Sequence, residues 1–176
     1  MKFQETPLAG AFIITMEIKQ DERGFFARSF CKNEFEQLGL QGDFVQSNLS
    51  YNHKKNTLRG LHYQKFPYEE VKVVSCQRGS IYDVIVDIRK TSTTYGQWFG
   101  VELSAENYKM LYVPIGFAHG FQTLCDHVEV HYLMGHYFQP EAAAGIRWDD
   151  STLAIHWPSK EVIISPRDKN LPDFPV

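Results

Sequence analysis

From residue 71 onward, short segments rich in β-branched and aromatic residues recur along the chain. Turn signals separate them, for example Arg78-Gly79, Tyr95-Gly96 and Ile115-Gly116. Segments repeating every 8–12 residues or so are typical of β-sandwiches and barrels. The pattern predicts strands at residues 71–77, 80–89, 97–103, 109–115, 119–124, 127–133 and 152–157.

The segment 80–89 shows the clearest two-residue period. One face carries Tyr82, Val84, Val86 and Ile88, and the other carries Asp83, Asp87 and Arg89 together with Ile81 and Ile85. Alternation of this kind predicts a half-buried strand.

Helix signals are few. Asn33 can cap a short helix, with Glu36 three residues later and Gly39 to end it. Residues 104–107 can form a further single turn. No strand–helix alternation and no glycine-rich phosphate loop is present, which argues against a Rossmann or P-loop enzyme. The expected fold is all-β: a double antiparallel sheet of the jelly-roll type, or a related barrel, with one or two short helices in a single domain spanning residues 1–176.

Composition narrows the class of protein. The chain has 176 residues, of which 14% are aromatic, and its formal net charge is −3. Abundant aromatic residues with a low net charge exclude an intrinsically disordered chain, and the small acidic excess gives no bulk attraction to nucleic acid or to an anionic membrane. No apolar run is long enough to cross a bilayer.

Two further features concern the cell compartment. Glu5 and Pro7 interrupt the N-terminal stretch where a signal peptide would have its apolar core, so we expect a cytoplasmic protein. Cys31, Cys76 and Cys125 are far apart and odd in number, which predicts free thiols rather than disulfides or a zinc-thiolate site.

Residues 58–64, LRGLHYQ, form the first candidate for chemistry. His62 can act as a general base near neutral pH, and Arg59 can hold a phosphate or carboxylate. Gly60 between them permits a bulge or a close approach of a ligand. A structural histidine beside a surface arginine is the competing interpretation of the same spacing.

Residues 127–131, HVEVH, allow two exclusive interpretations. In a strand, His127, Glu129 and His131 share one face and could bind a metal ion through nitrogen and oxygen. Val128, Val130 and Tyr132 share the other face. Since one strand cannot turn both faces into a cavity, and the valines and tyrosine make the better inward face, the second interpretation is favoured.

Three more segments hold polar groups whose spacing does not decide their role. His119 lies between small residues in PIGFAHGF, where it could meet an anionic ligand or be packed. Arg23 precedes two phenylalanines in DERGFF and could bind phosphate. Asp168 ends the motif SPRD near the C-terminus.

Together these segments resemble the dTDP-4-dehydrorhamnose 3,5-epimerases of sugar-nucleotide biosynthesis. The matching segments occur in the family's order over almost the whole chain: DERGFF, FVQSN, LRGLHYQ, DVIVDIRK, LSAEN, VPIGFAHGF and the segment from WDD to IHWP. The resemblance implies a cupin-type jelly roll that works as a homodimer, without metal or dissociable cofactor, on a nucleoside-diphosphate-4-keto-6-deoxy sugar.

The resemblance also implies roles for individual residues. His62 corresponds to the base, Tyr132 to the acid on the opposite face of the sugar, Asp168 to the carboxylate that orients the histidine, and Lys72 to the cation near O4. The substrate contacts it implies are Arg23, Phe26, Gln46, Asn48, Arg59, His119, Phe138 and Arg167. Of these, Arg23 and Phe26 are expected to reach the site of the neighbouring subunit.

The chain departs from the family's common residues at Arg28, Ser47, Leu133, Phe138 and Ala143. An epimerase that inverts only one carbon, or one that acts on another nucleotide sugar, would fit the same acid and base. A metal-dependent cupin and a non-catalytic sugar-nucleotide-binding module are the more distant alternatives.

Overall fold

Two six-stranded sheets face each other in the computed structural model, which describes residues 1–175. The strands are β1 (Lys2–Glu5), β2 (Phe12–Thr15), β3 (Lys19–Asp21), β4 (Gly24–Phe26), β5 (Gln46–Asn52), β6 (Thr57–Gln64), β7 (Lys72–Arg78), β8 (Ser80–Asp87), β9 (Trp98–Ser104), β10 (Lys109–Val113), β11 (Phe117–Thr123), β12 (Val128–Met134), β13 (Ala143–Gly145) and β14 (Ile163–Ile164). Two short helices, α1 (Lys32–Glu36) and α2 (Pro166–Lys169), complete the chain. The predicted all-β jelly roll is confirmed.

The strand order shows which elements are neighbours. The first sheet runs β1-β2-β10-β7-β12-β5 and the second runs β13-β6-β11-β8-β9. All pairs are antiparallel except β14, which adds to β6 in parallel, and β3 and β4 form a separate hairpin. The strands β6 and β12 therefore lie in opposite sheets.

The main core fills the space between the sheets. Val74 and Val130 of the first sheet pack against Ile85 and Phe121 of the second, and all four are buried. Six of the seven strands expected from hydrophobic periodicity are present, with their ends shifted by one or two residues. Alternating apolar positions thus locate the central strands well, because those strands bury one face against this core.

The strand predicted at residues 152–157 is wrong. Asp150 accepts hydrogen bonds from the backbone N–H groups of Thr152 and Leu153, both at 2.9 Å, and this closes a turn instead of an extended ladder. The apolar side chains of this segment, including Leu153 and Trp157, pack on the outer face of the second sheet. These apolar side chains give the segment the composition of a strand, although the segment is a turn-rich stretch that covers the second sheet.

The prediction that β8 is half-buried is also wrong, because both of its faces are covered. Ile81 and Ile85 point into the main core, while Val84 and Val86 lie beneath the C-terminal segment. Asp83, on the inner face, is fully buried as well.

The helix predictions are confirmed in part. Helix α1 begins at Lys32 after an N-cap at Cys31 that makes no side-chain hydrogen bond, so the predicted cap at Asn33 is wrong. The helix ends at Glu36, and the following turn closes at the predicted terminator Gly39, which has φ +70°; the N–H groups of Gly39 and Leu40 bond to the carbonyls of Glu36 and Phe35. Residues 104–107 form a turn in which Ser104 and Asn107 exchange side-chain-to-backbone hydrogen bonds of 3.0 Å. Among residues 1–175, no helix has the length and apolar character that spanning a membrane requires.

Candidate active site

An open cavity of about 290 Å³ lies between the two sheets and is lined by side chains from both. Most of the residues that the sequence singled out meet here. They are Asn48, Arg59, His62, Lys72, His119, Tyr132, Phe138 and Arg167. The topology thus joins segments that are more than 100 positions apart in the sequence into one wall.

A bulge in β6 allows Arg59 and His62 to line the same cavity. His62 is opposite His119 of β11, whereas Arg59 is opposite Phe121, so one extra residue of β6 is accommodated between these pairs. Gly60 adopts φ +109°, and a Cβ atom there would lie 2.6 Å from the Cα of Gly120. Only glycine fits this conformation and close approach, which gives Gly60 the role that the sequence allowed for it.

His62 is paired with a buried carboxylate. Its Nε2 lies 2.8 Å from Asp168 Oδ1, and the second oxygen of Asp168 accepts a hydrogen bond of 3.1 Å from the Gly60 N–H. Burial pushes the pKa of Asp168 upward, but the hydrogen bond from His62 and the charge of that ring outweigh it and leave the pKa below its ordinary value. When the ring is neutral, the ionised acceptor at Nε2 favours the tautomer with its proton on Nε2 and its lone pair on Nδ1.

Helix α2 places this carboxylate. Ser165 caps the helix by accepting a 3.0 Å hydrogen bond from the Asp168 N–H, and Pro166 occupies the first turn. A serine cap followed by proline is a recognisable start signal for a helix. The local motif SPRD therefore explains how the C-terminal segment delivers Asp168 to β6.

Tyr132 enters the cavity from the opposite sheet. Val128 and Val130, on the same face of β12, are fully buried, so the predicted inward face is confirmed. Burial, with the nearby charge of Asp83, raises the pKa of the Tyr132 phenol. Its ring meets the His119 ring edge-on, with centroids 6.1 Å apart. The phenol thus stays protonated in a site facing His62 across the two sheets.

The alternative metal site is not formed. His131 Nε2 lies 2.8 Å from Ser47 Oγ, and His127 Nδ1 lies 2.5 Å from the hydroxyl of Tyr51. Throughout residues 1–175, no three His, Cys, Asp or Glu side chains are grouped so that they could hold a metal ion. The residues His127, Glu129 and His131 do not line the cavity.

Lys72 lies in the cavity beside a carboxylate that the sequence analysis missed. Its Nζ forms an ion pair of 3.0 Å with Glu70 Oε1 and donates a long hydrogen bond of 3.4 Å to the carbonyl of His62. Both side chains are less than a tenth exposed. Glu70 precedes β7 in a segment of mixed polarity, and no local pattern marks it as buried.

A second histidine–carboxylate pair lies next to the first. His119 Nε2 is 2.7 Å from Asp83 Oδ1, and both residues are buried. Burial raises the pKa of Asp83, although the neighbouring His119 opposes this. The sequence indicated His119 but not its partner, because Asp83 was noted only as part of the alternating pattern of β8.

Three expected substrate contacts lie away from this cavity. Arg23 and Phe26 belong to the β3–β4 hairpin, where their side chains are largely exposed and Arg23 pairs with Asp21 at 2.6 Å. Gln46 is not a lining residue but contacts two that are: its amide donates to Asn48 Oδ1 at 3.0 Å and its carbonyl accepts from the Phe138 N–H at 3.2 Å.

The departures from the family's common residues divide by position. Phe138 and Ala143 line the cavity, Leu133 lies on the outer face of the first sheet, and Ser47 bonds to His131. Arg28 forms an ion pair of 2.6 Å with Glu34 outside the cavity. Only two of the five changes therefore alter the surface that a ligand in this cavity would meet.

Comparisons with known proteins agree on one family. The family model described as dTDP-4-dehydrorhamnose 3,5-epimerase matches residues 5–175. The enzyme of that name from Escherichia coli strain K12 is 43% identical over 173 residues, which cover 97% of this chain and 93% of the relative.

Two solved structures extend the agreement to three dimensions. The dTDP-4-dehydrorhamnose 3,5-epimerase from Bacillus anthracis strain Ames, solved with TDP and PPi bound, superposes with a TM-score of 0.95 at 44% identity and covers 98% of each chain. The dTDP-6-deoxy-D-glucose-3,5-epimerase from Legionella pneumophila Philadelphia 1, in complex with dTDP-4-keto-L-rhamnose, superposes with a TM-score of 0.93 at 41% identity, covering 98% of this chain and 92% of the other.

The family implied by the sequence motifs is thus confirmed over nearly the full length and in the fold. The chain belongs to the dTDP-4-dehydrorhamnose 3,5-epimerase family of isomerases.

Proposed function

We propose that this protein inverts C3 and C5 of a nucleoside-diphosphate-4-keto-6-deoxy sugar, converting a dTDP-4-dehydro-6-deoxy-D-glucose-type substrate to its dTDP-4-dehydro-L-rhamnose counterpart. One observation carries the proposal: the His62–Asp168 pair and the Tyr132 phenol enter a single cavity from opposite sheets. Inversion of a carbon requires a base on one face and an acid on the other, and this arrangement supplies both.

His62 acts as the base. The hydrogens on C3 and C5 are both α to the C4 ketone, so removing either leaves an enolate whose charge rests on O4. The Asp168 carboxylate holds Nε2–H and leaves the Nδ1 lone pair to accept the proton. It also stabilises the imidazolium that forms, because the opposite charge is 2.8 Å away.

Lys72 stabilises the enolate. A fixed cation at the oxygen where charge develops is among the largest contributions an enzyme can make to such a reaction. Lys72 is almost completely buried in the cavity wall, where its charge is screened little by water. Tyr132 then returns a proton to the opposite face of the carbon, and the ketone re-forms.

The nucleotide part of the substrate has two phosphates, which cationic side chains can bind, and a nucleobase, which an aromatic ring can stack on. Arg59 and Arg167 line the cavity, where their guanidinium groups can bind the two phosphates. Phe138 is half-exposed at the rim, where its ring can stack on the nucleobase. We infer a homodimer in which Arg23 and Phe26 of one subunit complete the site of the other, which accounts for their exposure far from their own chain's cavity. The cytoplasmic location and the single domain remain predictions.

The direct test is solvent exchange. The 4-keto-6-deoxy nucleotide sugar is incubated with the protein in D₂O, and deuterium at C3 and C5 is followed by NMR together with the configuration at each carbon. Incorporation with inversion at both carbons is expected. Replacing His62 with Ala should slow it by roughly 10²–10⁴-fold.

Other results would favour the alternatives. Inversion at only one carbon would indicate a mono-epimerase. Binding of the nucleotide sugar without any exchange would indicate a binding module. Exchange that a chelator abolishes, with metal present in stoichiometric amount, would indicate a metal-dependent cupin.

A further inference from the structure

Glu70 is a buried carboxylate whose polar contacts do not account for its burial. Its side chain is 5% exposed, and Oε2 is buried without a hydrogen-bond partner among the described residues. Its one ion-pair partner there is Lys72 Nζ, at 3.0 Å. Asp168, by contrast, accepts hydrogen bonds at both oxygens. Burying a carboxylate oxygen that has no donor is costly, so the unpaired Oε2 points to a role in the site rather than in the fold.

The substrate class proposed above has a donor for this carboxylate. In a 4-keto-6-deoxy sugar, C4 carries the ketone and C6 is a methyl group, so the ring hydroxyls are those on C2 and C3. The C3 hydroxyl is the one next to O4. If Lys72 faces O4, the adjacent Glu70 faces the neighbouring hydroxyl, which can donate where O4 can only accept.

We infer that Glu70 accepts a hydrogen bond from the C3 hydroxyl, and that the Lys72–Glu70 pair recognises an α-hydroxyketone. The inference rests on the proposed function. It makes the protein selective for sugars with a free hydroxyl beside the ketone, and against 3-deoxy or 3-O-substituted sugars. A site built to pair a substrate hydroxyl discriminates well because its own group is left unpaired when the hydroxyl is missing.

The experiment compares two substrates and three proteins. The substrates are a nucleotide-linked 4-keto-6-deoxy sugar and its 4-keto-3,6-dideoxy analogue, and the common readout is kcat/KM for deuterium incorporation at C5. The proteins are the wild type, Glu70→Gln and the matched control Glu69→Gln, which changes the preceding glutamate, a residue that does not line this cavity. Circular dichroism and the melting temperature establish that each variant folds.

Wild type should prefer the hydroxylated substrate, and Glu70→Gln should lose roughly 10- to 100-fold on that substrate alone, since hydrogen bonds to charged groups are of that strength. Glu69→Gln should behave as wild type with both. An equal loss on both substrates in Glu70→Gln would overturn the inference, because Glu70 would then only hold Lys72 in place. No loss would overturn it too. Absence of exchange by wild type with either sugar would overturn the proposed function itself.

Discussion

At the scale of single residues, Tyr132 offers the sharpest test of the division between base and acid. Tyr132→Phe keeps the ring that packs against His119 and removes only the hydroxyl. We expect net inversion to fall by roughly 10²–10⁴-fold. Exchange at C3 should continue, because His62 can still remove a proton and return deuterium to the same face. Paired NMR measurements of deuterium content and of configuration separate the two rates.

The matched control removes a phenol of the same chain outside the cavity. Tyr108→Phe changes a tyrosine that packs against Phe25 on the hairpin side of the first sheet. This variant should leave the rate of deuterium exchange and the rate of inversion unchanged. Undiminished inversion in Tyr132→Phe would remove this residue from the mechanism.

Asp168 makes the stability of the fold depend on pH through its pKa. Because the folded-state pKa lies below the ordinary value, the ionised carboxylate stabilises the fold at pH values above about 4 and loses that contribution as the pH falls further. Asp168→Asn removes the titration. The difference in free energy of unfolding between wild type and variant, from urea titrations, should therefore stay constant above about pH 5 and shrink as the pH falls below about 4.

The same variant should lower kcat by roughly 10²–10⁴-fold, because the amide no longer stabilises the protonated histidine. If wild type and Asp168→Asn lost stability in parallel over this acidic range, the His62–Asp168 pair would not carry the pH dependence.

Sequence periodicity predicts which side chains of a single strand face inward. It misses residues whose role comes from a partner on a neighbouring strand. Tyr132 was placed correctly because the valines beside it define the inward face of β12. Asp83 and Glu70 could be identified as part of the site only from the assembled sheets, because their roles follow from their contacts with His119 and Lys72.

At the scale of elements, the bulge in β6 is what brings Arg59 and His62 to one surface. Gly60→Ala puts a Cβ atom 2.6 Å from Gly120 Cα and 2.7 Å from the His119 carbonyl. The backbone conformation alone should cost about 1–3 kcal/mol in free energy of unfolding, and the collision with β11 adds to it. Activity should fall with stability because His62 and Arg59 would shift.

Gly24→Ala is the control for the part of the stability loss that comes from backbone conformation alone. Gly24 has a similar φ of +125°, but a Cβ atom there meets nothing within 4 Å. Urea unfolding of both variants therefore separates backbone strain from the close approach of β6 and β11. Equal losses in the two variants would show that the contact between Gly60 and Gly120 is not tight in solution.

Elements that cover others were the hardest to predict. Residues 152–157 have the composition of a strand, yet their apolar side chains pack over β8 from outside while Asp150 organises their backbone. The same cover buries the outer face of β8, which carries Val84 and Val86, so both faces of this strand are buried although its alternation predicted a half-buried strand. Both errors have one cause: the sequence does not show which segment lies on top of a sheet.

At the scale of the whole molecule, the β3–β4 hairpin is the part that the isolated chain leaves unexplained. The side chain of Arg23 is 85% exposed, and Phe25 and Phe26 are also exposed, 51% and 74% respectively. Large apolar side chains grouped on one exposed hairpin are typical of a surface that another subunit covers. The proposed homodimer gives these residues a place at the partner's cavity.

Sharing of residues between subunits predicts complementation. His62→Ala and Arg23→Ala should each be nearly inactive alone, since every site in either homodimer lacks one group. When the two variants are unfolded together in equal amounts and refolded, half the dimers should be mixed, and each should contain one site with both wild-type residues. About one quarter of wild-type activity should return, as expected for a two-fold dimer with random pairing. If Arg23 served its own chain's cavity, every site in the mixture would still lack one residue and no activity would return.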